Sequence, residues 1–223
     1  MTGMTVSEAV AKRSSVRDFL DTPVPLDLLR TVIDKARMSP SGCNFQPWEA
    51  TILTGEPLKA LQAKMMSNPP QQPEEYAIIP AGIPSEYMQR LGEITGHRLE
   101  AQGIARDDND ARNAATARNF VGFGAPVLLL CHFPRVMGPP QWSDIGMWLQ
   151  TVMLLLVEAG LDSCPQESLS IHARLIKDHI GVSDESHIFF CGLAIGYRNR
   201  QAPVNNYGRT RVPLDQQVTF AGF

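Results

Sequence analysis

The run Val152 to Val157, apolar throughout and set inside IGMWLQTVMLLLVEAGL, constrains this chain more than any other stretch. Gln150 and Glu158 bound it, so it is too short to span a bilayer and reads as a buried helix of about 145 to 159. Asp144 is the expected N-cap and Gly160 the expected stop. A helix that is hydrophobic nearly all round belongs at the centre of a core or of an obligate interface. The fold must therefore surround it.

The elements that would do so follow from local pattern. Thr5-Val-Ser-Glu8 has the spacing of a capping box and predicts a helix from Val6 to Arg13. Pro25 opens a second helix, whose stripe of Leu29, Val32, Ile33 and Ala36 shares one face; Pro40 and Gly42 end it. A third amphipathic helix is expected over 170 to 180. WEATILTG (48–55), APVLLLCHF (125–133) and HIFFCGLAIGY (187–197) read as strands, and the tail ends in a strand-like QVTF. Between 65 and 118 lies an excursion, rich in proline at first and then helical in pieces with polar faces. Long insertions of this kind often serve as lids. No repeat or linker divides residues 1–223, and a single α+β domain is the reading.

Composition removes several classes of function. A net charge of −3 over 223 residues argues against a nucleic-acid binder. No basic amphipathic stretch points to a membrane surface, and the N-terminus lacks the apolar core of a signal peptide. Cys43, Cys131, Cys164 and Cys191 are widely spread with no C-x-x-C, so no metal site is expected. Free thiols then suit the cytoplasm. GFGAPV (122–127) precedes a strand rather than following one and lacks the third glycine of a dinucleotide fingerprint. There is no Walker A run, no G-x-S-x-G elbow, and no histidine beside an obvious nucleophile.

What remains is a pattern of arginines. In RSSVRDF, Arg13, Ser15 and Arg17 alternate, so an extended segment presents all three on one face and turns Ser14, Val16 and Asp18 to the other. Arg209 and Arg211, near the other end, repeat the spacing. A phosphate monoester carries about −1.5 to −2 charge and three acceptor oxygens. Arg13, Ser15, Arg209 and Arg211 would match that set of acceptors if the chain ends meet.

Four ordered blocks now resemble the FMN-dependent nitroreductases. They are KRSSVRDF, SPSGCNFQPWE (39–49), GLDSCPQESL (160–169) and the closing GLAIGYRNRQAPVNNYGRTRVPLDQQVTF. The first block departs from the usual pair of basic residues, since Ser14 stands second and is left a backbone role. The 65–118 excursion is where that family varies.

The resemblance implies a three-layer sandwich with a mainly antiparallel central sheet, assembled as an intertwined homodimer with FMN at the subunit interface. It implies that Arg13, Ser15, Arg209 and Arg211 hold the FMN phosphate and that Arg17 reaches the N1/O2 end of the ring. A cation there favours the charge that reduction leaves on the ring. Pro40, Ser41 and Asn44 would touch the flavin of the other subunit; Gln46 and Trp48 divide between contact and packing. Glu167 and Ser168 would offer backbone N–H groups to N5 and O4, with Pro165 and Gln166 shaping that turn. Cys164 reads as packing rather than catalysis.

NAD(P)H needs no domain of its own if it stacks in the same pocket, passes hydride to N5 and leaves before the oxidant enters. Phe120 and Phe123 are candidates for an aromatic wall around a small aromatic substrate, with core packing as the competing reading. Tyr76 and Tyr87 are candidates for a lid. The activity implied is NAD(P)H-dependent reduction of nitroaromatic compounds. Quinone or enone reduction, reductive dehalogenation and a flavin carrier without turnover are the alternatives on the same scaffold.

Overall fold

The computed structural model describes residues 3–223. Strands β1 (Phe19–Leu20), β2 (Glu49–Thr54), β3 (Val127–Pro134), β4 (Asp162–Gln166) and β5 (His187–Arg198) form one sheet, antiparallel at every pairing between them. The long β5 is its spine and pairs with β1, β3 and β4, while β2 lies beyond β3 as an edge. Helices α1 (Val6–Lys12), α2 (Leu26–Ala36), α3 (Gly55–Ser67), α4 (Ser85–Ala101), α5 (Asn109–Ala117), α6 (Pro139–Glu158) and α7 (Ala173–His179) complete the chain.

Each sheet face carries its own core, because alternate residues of a strand point to opposite sides. Leu129, Cys131, Phe133, Leu193 and Ile195 meet α2 and α6 on one side. Leu128, Leu130, Phe189 and Ala194 meet α3 and α7 on the other. Helix, sheet, helix is the three-layer α+β sandwich that the resemblance implies.

The capping box at Thr5 forms, with the Glu8 N–H donating to Thr5 Oγ1 at 3.2 Å and the Thr5 N–H to Glu8 Oε2 at 2.7 Å. The α2 stripe is as expected, with Leu29, Val32 and Ala36 buried. Other expectations need correction. Helix α6 starts at Pro139, not after Asp144. Prolines are tolerated in a first turn, whose N–H groups have no intrahelical partner. Asp144 thus falls inside the helix, where it is buried and its Oδ1 accepts the Gly42 N–H at 3.1 Å. Gly55 does not merely stop β2; it opens α3, which the sequence reading missed.

The tail's QVTF is not a strand in the single chain. A strand needs a neighbour for its backbone groups, and here the tail lies exposed, with Phe220 and Phe223 in the open. Helix α6 is not buried on all sides either: Met147 is exposed, and Thr151 and Leu154 are half-buried along one stripe. No described helix is long and apolar enough to cross a membrane.

Candidate active site

The alternation in RSSVRDF survives in three dimensions. Val16 is fully buried, and its N–H donates to Ser163 O at 3.0 Å, which ties the motif to β4. Ser14 and Asp18 also face away from the arginines. Ser14 Oγ accepts from Arg198 at 2.6 Å, and Asp18 accepts from Arg118 at 2.8 Å and Asn199 at 2.9 Å. Those contacts hold the backbone extended, so Arg13, Ser15 and Arg17 share the opposite face.

On that face the two chain ends meet. Arg13, Ser15 and Arg17 line one cleft of about 120 Å³ with Val204, Asn205, Tyr207, Arg209 and Arg211; Ser14 and Ile94 of α4 also border it. Arg209 is anchored by donating to the carbonyls of Arg13 and Ala11, the latter at 2.8 Å. Burial, and then the charges of Arg209 and Arg211, push the Arg13 guanidinium below its ordinary value. Three cations that repel one another in a partly desolvated cleft are suited to a multiply charged anion.

Arg17 stands apart from that trio. Its Nη1 donates to Tyr207 Oη at 2.6 Å, and its backbone N–H donates to Asn205 Oδ1 at 2.8 Å. A second cation, Arg98 of α4, lies near it: burial and the charge of Arg17 lower the Arg98 pKa, and Arg98 Nε is buried without a partner. Sequence reasoning missed Asn205, Tyr207 and Arg98. For the first two a signal existed, since Asn205, Tyr207, Arg209 and Arg211 continue the same two-residue step. For Arg98, inside the variable excursion, no local signal existed.

The block around Pro165 reaches the same place through β4. Gln166 is buried and its Nε2 donates to Asn119 O at 2.7 Å; Ser168 Oγ donates to Asn119 Oδ1 at 3.1 Å. Asn119 therefore fastens the turn that carries Glu167 and Ser168. Gly192 on β5 lets the turn sit close, because a Cβ there would lie 2.5 Å from Leu169 Cδ1. Cys164 is buried beneath it, which pushes its thiol up to about 11 against the opposing pull of Arg17, Arg98 and Arg13. It is a thiol packed in the core.

The block from Pro40 to Gln46 is not brought to this cleft by its own chain. It forms an exposed loop against α6, with Cys43, Asn44 and Gln46 all at positive φ. Ser41 Oγ accepts the Gln46 N–H at 3.0 Å, and the Asn44 N–H bonds Ser41 O at 3.1 Å. Trp48 packs in parallel with Trp148, ring centroids 6.2 Å apart.

The aromatic candidates divide. Phe123 is a core residue, 3 % exposed, so it is no pocket wall in the single chain; apolar burial against Leu128 and Ala194 takes it inside. Phe120 is half-buried, edge-on to His172 at 5.3 Å. Tyr76 is no free lid: its hydroxyl donates to Phe190 O and its ring meets Trp142 edge-on at 5.4 Å. Tyr87 alone is open, with Arg90 over its ring at 4.9 Å.

A three-layer α+β fold with a cationic cleft where its two ends meet defines a class of protein suited to a multiply charged anion beside the sheet. The model of the nitroreductase family matches residues 10–197. The chain belongs to that family. It is 34 % identical to a 4-nitrobenzoate reductase of Pseudomonas putida, over 96 % of this chain and 94 % of the relative. Among solved structures, the FMN- and NADPH-dependent nitroreductase NfnB of Sphigopyxis sp. strain HMH superposes with a TM-score of 0.94 at 44 % identity, covering 99 % of this chain and 100 % of that one. The FMN-dependent NfnB of Mycobacterium smegmatis, solved with NADPH, gives 0.89 at 25 % identity over 97 % of each chain.

Proposed function

We propose that this protein is an FMN-dependent NAD(P)H oxidoreductase that reduces nitroaromatic compounds, assembled as a homodimer. One observation carries the reading: Arg13 and Arg209, 196 residues apart, meet in a single cleft with Arg211 and Ser15. Their mutual repulsion is what a terminal phosphate relieves, so the residues present fit FMN. When bound, FMN supplies the two-electron hydride chemistry at N5.

The chain's own residues then bind and orient. Arg13, Ser15, Arg209 and Arg211 grip the phosphate. Arg17, held by Tyr207 and Asn205, is the cation for the N1/O2 end of the ring. Asn119 fixes the turn whose Glu167 and Ser168 N–H groups would be offered to N5 and O4, with Pro165 and Gln166 shaping it, and the Ser14 backbone would complete the first motif. NAD(P)H and the nitro compound use one pocket in turn, which gives ping-pong kinetics. Helix α4 borders the arginine cleft through Ile94, which supports the 65–118 excursion as the wall or lid of the substrate pocket, with Tyr87 and, beyond the excursion, Phe120 as the pocket's aromatic contacts.

Three features support a dimer. The exposed loop with Pro40, Ser41, Asn44 and Gln46 is available to a partner's site. The open α6 stripe at Met147 and Leu154 needs cover. Beside the free edge of β2 runs an apolar groove of about 550 Å³ between α2 and the sheet, suited to a partner's tail. Four unpaired cysteines suit the cytoplasm.

The test is anaerobic. Flavin released by heat should comigrate with FMN; NADPH or NADH should bleach the bound flavin, and 4-nitrobenzoate should restore its colour. Stoichiometric FAD, or a flavin that stays oxidised, overturns the reading.

A further inference from the structure

We propose that Glu49, His132 and His187 form a binding site for a late first-row divalent cation, zinc foremost, at the end of the sheet away from the arginine cleft. The three come from three different strands, which is why no sequence spacing reveals them. Glu49 lies directly across from His132 in the β2–β3 pairing. His187 opens β5, and its face is set by an irregularity. Cys131 pairs with Cys191 but His132 pairs with Phe189, so Phe190 is an extra residue in β5. In unbroken register His187 would point to the other side of the sheet from His132, because the side-chain period is two. The bulge shifts β5 by one residue and turns His187 onto the face of His132 and Glu49. Re-aiming a side chain is what bulges do beside functional sites.

The geometry is that of a ligand set rather than a hydrogen-bonded cluster. Glu49 Oε2 lies 3.5 Å from His132 Nδ1 and 3.3 Å from His187 Nε2. All three ligand atoms fall within 4.8 Å of one another. Ligands ~2.0–2.1 Å from a tetrahedral zinc ion are roughly 3.3–3.4 Å apart, close to both separations. His132 is only 5 % exposed, and its Nδ1 is buried with no hydrogen-bond partner. That is a costly orphan unless something coordinates it.

The second nitrogens are oriented as metal ligands require. His187 Nδ1 is 2.7 Å from Ser186 Oγ, and His132 Nε2 is 3.5 Å from Thr51 Oγ1. Two cations donate to the His187 carbonyl, Arg135 at 2.8 Å and Lys177 at 3.0 Å, and both are paired with acids: Lys177 with Glu75 at 2.7 Å and Asp184 at 2.6 Å, Arg135 with Glu75 at 2.8 Å. Two imidazoles and a carboxylate with a fourth position open suit zinc better than magnesium or calcium, which favour oxygen ligands. The ion would tie β2, β3 and β5 together. It lies on the order of 25 Å from the arginine end, at ~3.3 Å per residue along β5.

Zinc chloride titrated calorimetrically into the flavin-loaded protein, after treatment with chelator, should show one saturable event per chain. It should also raise the melting temperature. Glu49→Gln and His187→Gln should each weaken binding by at least about tenfold and remove the thermal shift. Cobalt(II) should give visible bands, beyond the flavin absorption, of four-coordinate intensity. Binding that is absent, or that keeps full affinity in both variants, overturns the site. If the variants do not fold, the cobalt spectrum of the unaltered protein decides, and weak six-coordinate bands overturn it.

Discussion

Arg13 and Arg17 belong to one seven-residue motif, yet their surroundings differ. Arg13 faces Arg209 and Arg211, whereas Arg17 is bonded to Tyr207 and neighbours Arg98. Four residues of extended chain separate them by roughly 13 Å at ~3.3 Å per residue, about the reach from the FMN phosphate to the ring. Arg13→Met should therefore weaken FMN binding by about 1.5–3 kcal/mol, the worth of a charged hydrogen bond, and leave the ring chemistry intact at saturation. Arg17→Met should keep moderate binding but make the two-electron potential more negative and slow hydride uptake. Affinity by fluorescence and potential by dye equilibration separate the two. Equal affinity losses with an unchanged potential in Arg17→Met would make Arg17 a phosphate ligand.

At the scale of elements, β5 decides most. It pairs with three strands, and Gly192 admits Leu169 where a side chain would clash, which seats the Glu167–Ser168 turn. Its bulge leaves Phe190 outside the β3 ladder. The Phe190 carbonyl is satisfied instead by Tyr76 Oη, and burial raises the Tyr76 pKa so that the phenol stays a donor. The excursion is thus stapled to β5 by Tyr76, and by Glu75 to Lys177 of α7 and to Arg135 just past β3. Tyr76→Phe removes one hydroxyl and leaves that carbonyl unpaired. It should cost about 1–3 kcal/mol in chemical denaturation with FMN affinity unchanged. A loss below a few tenths of a kcal/mol would mean the bulge does not depend on Tyr76.

For the whole molecule, the unsatisfied surfaces are consistent with one another. The loop at 40–46, the α6 stripe, the β2 edge and the tail are each exposed in the single chain. If the partner's Pro40–Gln46 loop completes each flavin site, assembly and cofactor binding are linked. Light scattering should give twice the mass of the chain, and dilution should release flavin in step with dissociation. Removing residues 214–223 should weaken the dimer and the flavin together. A monomer that keeps its flavin would refute the shared site.

Local pattern determined a good deal. The capping box at Thr5, the α2 stripe and the three long strands depend on interactions within a few residues, so they were legible. So was the alternation of Arg13, Ser15 and Arg17, because an extended backbone permits only two faces. Errors arose where distant groups outweigh neighbours. Asp144 looks like a cap until Gly42 takes its carboxylate inside the helix. Phe123 looks like a wall until the second core absorbs it, and Tyr76 looks like a lid until the carbonyl of Phe190 claims its hydroxyl. Only tertiary structure placed Arg98 beside Arg17, or turned His187 to meet His132 and Glu49. Sequence spacing encodes which face a residue takes within its own element; a bulge, or contact between elements far apart in the chain, sets which faces meet.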